Sequence, residues 1–111
     1  MPKLGTVTVK GASGKAYALD VFPRADQFKP LGAVVVLAKR VPHVEGGGDY
    51  TWIYVAETND ISRRPFDFTR KPCIDEYEAN SVCLLVEGNA AKRATIESDL
   101  RLALNPPCNR G

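Results

Sequence analysis

The chain has 111 residues, of which 44% are apolar and 25% charged, and its formal net charge is +2. This length and composition suit one compact domain, and so small a net charge does not by itself indicate a nucleic-acid-binding protein. The sequence contains no run of about 18 apolar residues, so it predicts no membrane span. The opening Met-Pro-Lys-Leu-Gly lacks the hydrophobic region of a secretory signal, so we expect a cytoplasmic protein without membrane contact.

The cysteines and the histidine bear on redox state and on metal binding. Cys73, Cys83 and Cys108 are odd in number and widely spaced, which is not typical of a disulfide framework. We therefore expect buried thiols in a reducing compartment. With His43 as the single histidine and no Cys-x-x-Cys pair, the sequence does not predict a structural zinc site.

Four β-rich segments dominate the first half of the chain. Residues 6–10 and 17–22 flank a glycine-bearing turn and predict a hairpin. The continuously apolar, β-branched run 33–38 predicts a central strand that is buried on both faces. Its expected partner is 51–56, reached through a flexible segment at 41–50. The glycines of that segment lack the Gly-Lys-Ser/Thr ending of a phosphate-binding loop.

The second half of the chain predicts short helices, a strand and a long helix. Thr58-Asn59-Asp60 offers helix-capping side chains, and Pro65 should shorten the helix that follows. A second short helical segment is expected at 74–79, a strand at 81–86 and an amphipathic helix at 90–104. This order predicts an α/β (α+β) protein with a small, mainly antiparallel sheet flanked by helices.

Four short motifs along this order resemble the GIY-YIG nuclease superfamily. Tyr54-Val55-Ala56, with Arg64 ten positions after the tyrosine, resembles the second signature strand and the helix that follows it. Glu97 resembles the metal-holding glutamate of a later helix, and Asn109, twelve residues on, resembles the asparagine of the closing segment. The resemblance implies a GIY-YIG-like core at 32–111, preceded by an N-terminal β-hairpin extension at 1–31.

The first signature departs from the family pattern. It falls after Gly32, where Val35 (or Val34, if the register slips by one) stands in place of the tyrosine, and Ala56 replaces the glycine of the second signature. The resemblance implies that a tyrosine helps to relay a proton from the attacking water. We therefore expect a domain that acts on or binds DNA and is weakened or inactive as a phosphodiesterase.

The resemblance also assigns roles to the catalytic set Tyr54, Arg64, Glu97 and Asn109. Arg64 would hold phosphate oxygens, Glu97 would anchor one Mg²⁺, and Asn109 would fix its neighbours by hydrogen bonds. These four residues are predicted to converge on one concave surface. The local basic pairs Arg63-Arg64, Arg70-Lys71 and Lys92-Arg93 are the candidate DNA contacts.

Each site residue also has a structural interpretation. In a regular strand Tyr54 shares a face with Trp52 and Ala56 and is a packing residue. Glu97 has arginines at i−4 and i+4 and fits a surface charge ladder. Arg64 precedes a proline, which disfavours helical geometry and turns the side chain from the site, where Arg63 would replace it.

Two alternative functions remain open from the sequence. One is an active Mg²⁺-dependent DNA endonuclease, in which His43 or Tyr50 replaces the missing tyrosine as general base. The other is a noncatalytic protein-interaction module that retains only the fold.

Overall fold

The computed structural model describes residues 3–110. Its strands and α-helices follow the order β1 (Gly5–Lys10), β2 (Ala16–Pro23), β3 (Ala33–Pro42), β4 (Gly48–Thr58), α1 (Phe66–Thr69), α2 (Lys71–Glu76), β5 (Ser81–Val86) and α3 (Ala90–Leu104). Two 3₁₀ turns, Ile61–Arg63 and Pro107–Asn109, accompany them. Within the described residues no helix is long and apolar enough to cross a membrane.

All five strands belong to one antiparallel sheet with the order β1-β2-β5-β3-β4. The predicted hairpin, the central strand β3 and its partner β4 are confirmed. The expected α+β class is confirmed as well. Because β2 pairs with β5, the hairpin continues the sheet that β5, β3 and β4 form.

The sheet is covered on both faces. Side chains of β3 alternate between them, with Val34 and Val36 toward α3 and Val35 and Leu37 on the opposite face. On the α3 face they pack in one cluster with Leu100 of α3. On the opposite face the packing partners come from the short helices and from the segment after α3. Burial on both faces explains why β3 is continuously apolar from Ala33 to Ala38.

A β-bulge interrupts the pairing of β3 with β4. Leu37 pairs with Tyr54 and Ala38 with Trp52, so Ile53 has no partner in β3. The extra residue shifts the alternation of side chains by one position. Trp52 therefore packs toward α3, whereas Tyr54 packs on the opposite face. The expectation that Tyr54 and Trp52 share a face was wrong, because the strand is not regular.

The connections differ from their predicted bounds. Half of the segment at 41–50 is strand, and a turn at residues 43–47 reverses the chain with positive φ at Gly46 and Gly47. Asp60 caps the turn Ile61–Arg63 by accepting a hydrogen bond from the Ser62 N–H, as its position predicted. The helix expected at 74–79 begins earlier, at Lys71, because a proline suits its first turn.

The cysteines do not remain as three thiols. Cys73 of α2 and Cys108 of the turn Pro107–Asn109 form a disulfide, which corrects the expectation of unpaired thiols. The sequence hides this pair because the two residues are 35 positions apart and meet only through packing on one face of the sheet. Cys83 is a buried free thiol, and burial raises its pKa to about 12.

Candidate functional site

Tyr54 lies in a small cleft beside the outer strand β4. The cleft has a volume of about 110 Å³ and is closed on one side by the segment around α1. Its lining includes Val35, Tyr54, Ala56, Pro65, Phe66 and Thr69. Val35 and Ala56, the two positions at which the resemblance departs from the GIY-YIG pattern, therefore face the same cleft as Tyr54. Val35 brings no hydroxyl to it.

The Tyr54 hydroxyl sits between charges of opposite sign. Burial raises the pKa of Tyr54 above its ordinary value of 10.0, the positive charge of Arg70 lowers it, and the negative charge of Glu97 raises it. The pKa of Tyr54 is raised on balance, so the phenol is neutral at physiological pH. A neutral phenol donates a hydrogen bond readily and is a poor general base.

Glu97 of α3 acts on Tyr54 through its negative charge. Its carboxylate accepts a hydrogen bond from Arg101 Nε at 2.8 Å, and its side chain is only 19% exposed. The charge ladder expected from the sequence is thus real for Glu97 and Arg101. Arg93 does not pair with Glu97, because its buried guanidinium forms an ion pair with Glu57 of β4.

Asn109 binds the outer edge of β4 directly. Its Oδ1 accepts the Val55 N–H at 2.7 Å, and its Nδ2 donates to the Val55 carbonyl at 2.8 Å. One side-chain amide thus replaces the backbone of a neighbouring strand at the residue next to Tyr54. This pairing satisfies two strand-edge groups.

Arg64 does not join this group. Its guanidinium donates hydrogen bonds to the carbonyls of Arg24 and Asp26 and to the Asp67 carboxylate, and its side chain is 14% exposed. The guanidinium also lies over the Phe66 ring, 4.9 Å from its centroid. Arg64 therefore ties the β2–β3 connection to α1, and its hydrogen-bonding nitrogens are occupied within the protein. The neighbouring Arg63 is 84% exposed.

Arg70 is the cation that the resemblance did not single out. It lies between α1 and α2, directly after Thr69 of the cleft, and its charge acts on Tyr54. The signal available in the sequence was the basic pair Arg70-Lys71. Spacing from Tyr54 pointed to Arg64 instead, because spacing does not reveal that the Arg64 guanidinium donates to two backbone carbonyls and to Asp67.

The two proposed substitutes for the missing tyrosine lie elsewhere. Tyr50 stacks on Trp52 on the α3 face, and its hydroxyl accepts a hydrogen bond from Arg40. His43 lies in the turn between β3 and β4, 3.1 Å from the Asp49 carboxylate. Neither residue lines the cleft around Tyr54.

Glu97 is the acidic residue of the candidate site that could hold a metal ion. Within residues 3–110 no group of three or more histidine, cysteine or acidic side chains forms a ready metal site. Mg²⁺ is often held by one or two carboxylates and completes its shell with water and substrate phosphate. Glu97 fits such a one-carboxylate site, in competition with Arg101 for the same carboxylate.

Comparisons with known protein families, with curated protein sequences and with solved structures gave no match.

Proposed function

We propose that this protein is a divergent GIY-YIG-like domain that binds DNA at the edge of β4 and has weakened or lost phosphodiesterase activity. The observation that supports the proposal is that Asn109 hydrogen-bonds Val55, the residue next to Tyr54, and that the charge of Glu97 acts on the Tyr54 pKa, although the three residues lie far apart in the sequence. Residues selected only for packing have no reason to meet beside the one strand that carries the signature tyrosine.

The chemistry of the cleft favours binding over cleavage. Hydrolysis of a phosphodiester requires a group that takes a proton from the attacking water and groups that neutralise charge on the phosphate. Val35 cannot take a proton, and the raised pKa of Tyr54 keeps that phenol protonated. Arg70 supplies positive charge, and the Tyr54 hydroxyl is a donor for a phosphate oxygen. Mg²⁺ on Glu97 would add Lewis-acid assistance when bound.

Arg70 takes the phosphate-holding role in this proposal, in place of Arg64. Before it reached a substrate, the Arg64 guanidinium would have to break its hydrogen bonds to the Arg24 and Asp26 carbonyls of the β2–β3 connection and to the Asp67 carboxylate of α1. Arg70 already acts on Tyr54 in the folded protein. Arg64 thus stabilises the fold, and Arg70 binds the phosphate.

A plasmid-nicking assay tests the cleavage part of the proposal. The parent, Val35→Tyr and Glu97→Ala are compared with Mg²⁺ or Mn²⁺ after repeated purification to remove contaminating nuclease. We expect weak or absent nicking by the parent, and increased nicking by Val35→Tyr if its hydroxyl reaches the cleft. Strong cleavage by the parent that disappears in Glu97→Ala would instead establish an active endonuclease with a different base.

Fluorescence anisotropy with a labelled DNA duplex tests the binding part. We expect affinity to fall as salt rises, and Arg70→Ala to weaken binding and to lower the slope of log affinity against log salt by about 1. Lys10→Ala is the matched control, because it removes one positive charge from β1, at the opposite edge of the sheet. Absence of binding at low salt would favour the protein-interaction module.

A further inference from the structure

Residues 105–110, here called the 105–110 clasp, wrap around the outer edge of the sheet. Asn105 ends α3 in a left-handed conformation on one face. Pro106 is buried, and Cys108 is 1% exposed within the cluster on the opposite face. The clasp thus passes from one face to the other around β4.

Side chains fasten the clasp to the rest of the protein. Its backbone hydrogen bonds are local, from the Asn109 N–H to Pro106 and from the Arg110 N–H to Pro107. The Asn109 amide holds Val55, and the Cys108 sulfur is bonded to Cys73 of α2. Of these attachments, the disulfide is covalent and responds to a chemical signal.

We propose that Cys73–Cys108 is a reversible redox site that controls whether the 105–110 clasp covers the edge of β4. In the oxidised protein the disulfide keeps Asn109 beside Val55. In the reduced protein the clasp depends on two amide hydrogen bonds and on burial of Pro106 and Cys108, and each of these contributes only a modest net free energy. The reduced clasp therefore opens while the sheet stays folded.

A dithiol reduces the disulfide in two exchange steps. A thiolate of the reductant attacks Cys73 Sγ, the less buried sulfur, so that a new S–S bond forms and Cys108 leaves as a thiolate. The second thiolate of the reductant then attacks the reductant sulfur that is bonded to Cys73. The reductant thereby forms its own disulfide, and Cys73 leaves as a thiolate. Two electrons pass from the dithiol to the protein, and both cysteine thiolates take up protons. A small-molecule disulfide as electron acceptor reverses the reaction.

Opening changes two parts of the molecule together. The Val55 N–H and C=O become an exposed strand edge next to Tyr54. Helix α2, which begins directly after Arg70, loses its covalent link to the clasp. Disulfides that form in reducing compartments are mostly transient and redox-sensing, which is the behaviour proposed for this pair.

Hydrogen exchange read by NMR at increasing urea tests the inference without reference to DNA. In the oxidised protein we expect the Val55 amide to exchange with the same urea dependence as the amides of β3, which report global unfolding. After dithiothreitol, Val55 exchange should become at least about tenfold faster and lose its urea dependence below the unfolding transition, while β3 amides keep theirs.

Two variants sharpen the test. Asn109→Ala keeps the disulfide and removes the Val55 partner, so Val55 should exchange rapidly in either redox state. The double variant Cys73→Ser, Cys108→Ser should behave as the reduced parent with or without dithiothreitol. Peptide mapping that finds no 73–108 crosslink in the oxidised protein would overturn the proposal. Val55 exchange that still tracks β3 after reduction would overturn it as well.

Discussion

Arg63 and Arg64 are neighbours in the sequence with opposite environments. Arg64 is bonded to two carbonyls and one carboxylate, whereas Arg63 makes a 3.5 Å contact with Asp60 from an exposed position. We predict that Arg64→Ala lowers the free energy of unfolding by about 2–3 kcal/mol, because three hydrogen bonds from a partly buried cation are lost. Arg63→Ala should change it by less than about 0.5 kcal/mol. Urea denaturation of both variants measures the difference, and equal effects would contradict the structural role of Arg64.

The sequence predicted part of this residue-scale picture. The proline after Arg64 correctly indicated non-helical geometry, and the structure has φ 48° at Arg64, in the left-handed region. The sequence did not predict where the side chain goes, because its partners in the β2–β3 connection are carbonyl groups. Backbone carbonyls occur at every residue and leave no signal in a sequence. The effect of the Arg70 charge on the Tyr54 pKa was hidden for a related reason, since it depends on the tertiary structure.

At the scale of elements, the turn between β1 and β2 is anchored to α3 by one carboxylate. Asp99 accepts hydrogen bonds from the Ser13 N–H at 2.8 Å, from the Ser13 hydroxyl at 2.7 Å and from the Tyr17 hydroxyl at 2.8 Å. These bonds hold the pKa of Asp99 below its ordinary value of 3.8. The anchor is therefore complete above pH 3.8 and is lost as the pH falls through the lowered pKa.

Gly11 makes this anchor possible, and its substitution is a direct test. A Cβ at Gly11 would lie 2.0 Å from Asp99 Oδ2, so Gly11→Ala must displace the carboxylate from its three donors. We predict a loss of about 1–3 kcal/mol in the free energy of unfolding. Gly5→Ala, in β1, is the matched control, because nothing lies within 4 Å of its Cβ and it should be neutral or slightly stabilising. Thermal and urea denaturation distinguish them, and equal stabilities would argue against a close contact.

The strands were the elements that the sequence predicted best. Continuous apolar runs identified β3 and β5, and alternation identified β1. The bulge at Ile53 could not be predicted, because a single extra residue in a strand leaves the apolar pattern of Ile53, Val55 and their neighbours intact. That bulge decides which face receives Tyr54. In a regular strand Tyr54 would pack beside Trp52. Because of the one-residue bulge, Tyr54 lies in the cleft on the opposite face.

At the scale of the whole molecule, the disulfide joins α2, which begins directly after Arg70, to the segment that carries Asn109. The ring that it closes spans β5 and α3, and it brings the segment that carries Asn109 back to α2. The family resemblance pointed to Asn109 by its spacing from Glu97, whereas the sequence predicted a free thiol at the neighbouring Cys108, which is in a disulfide. The count and spacing of cysteines can indicate a framework of several disulfides. They do not predict a single disulfide whose cysteines come together only in the folded protein.

The same bond predicts a global effect that is distinct from local opening of the clasp. A crosslink over 35 residues removes conformations from the unfolded chain, so the double variant Cys73→Ser, Cys108→Ser should unfold with about 3–4 kcal/mol less free energy than the oxidised parent. Its urea m-value should rise, because the uncrosslinked chain exposes more surface. The parent in dithiothreitol should match the variant, and the variant should not respond to the reductant. If the variant proves as stable as the oxidised parent, the crosslink does not constrain the unfolded chain and the redox site loses its physical basis.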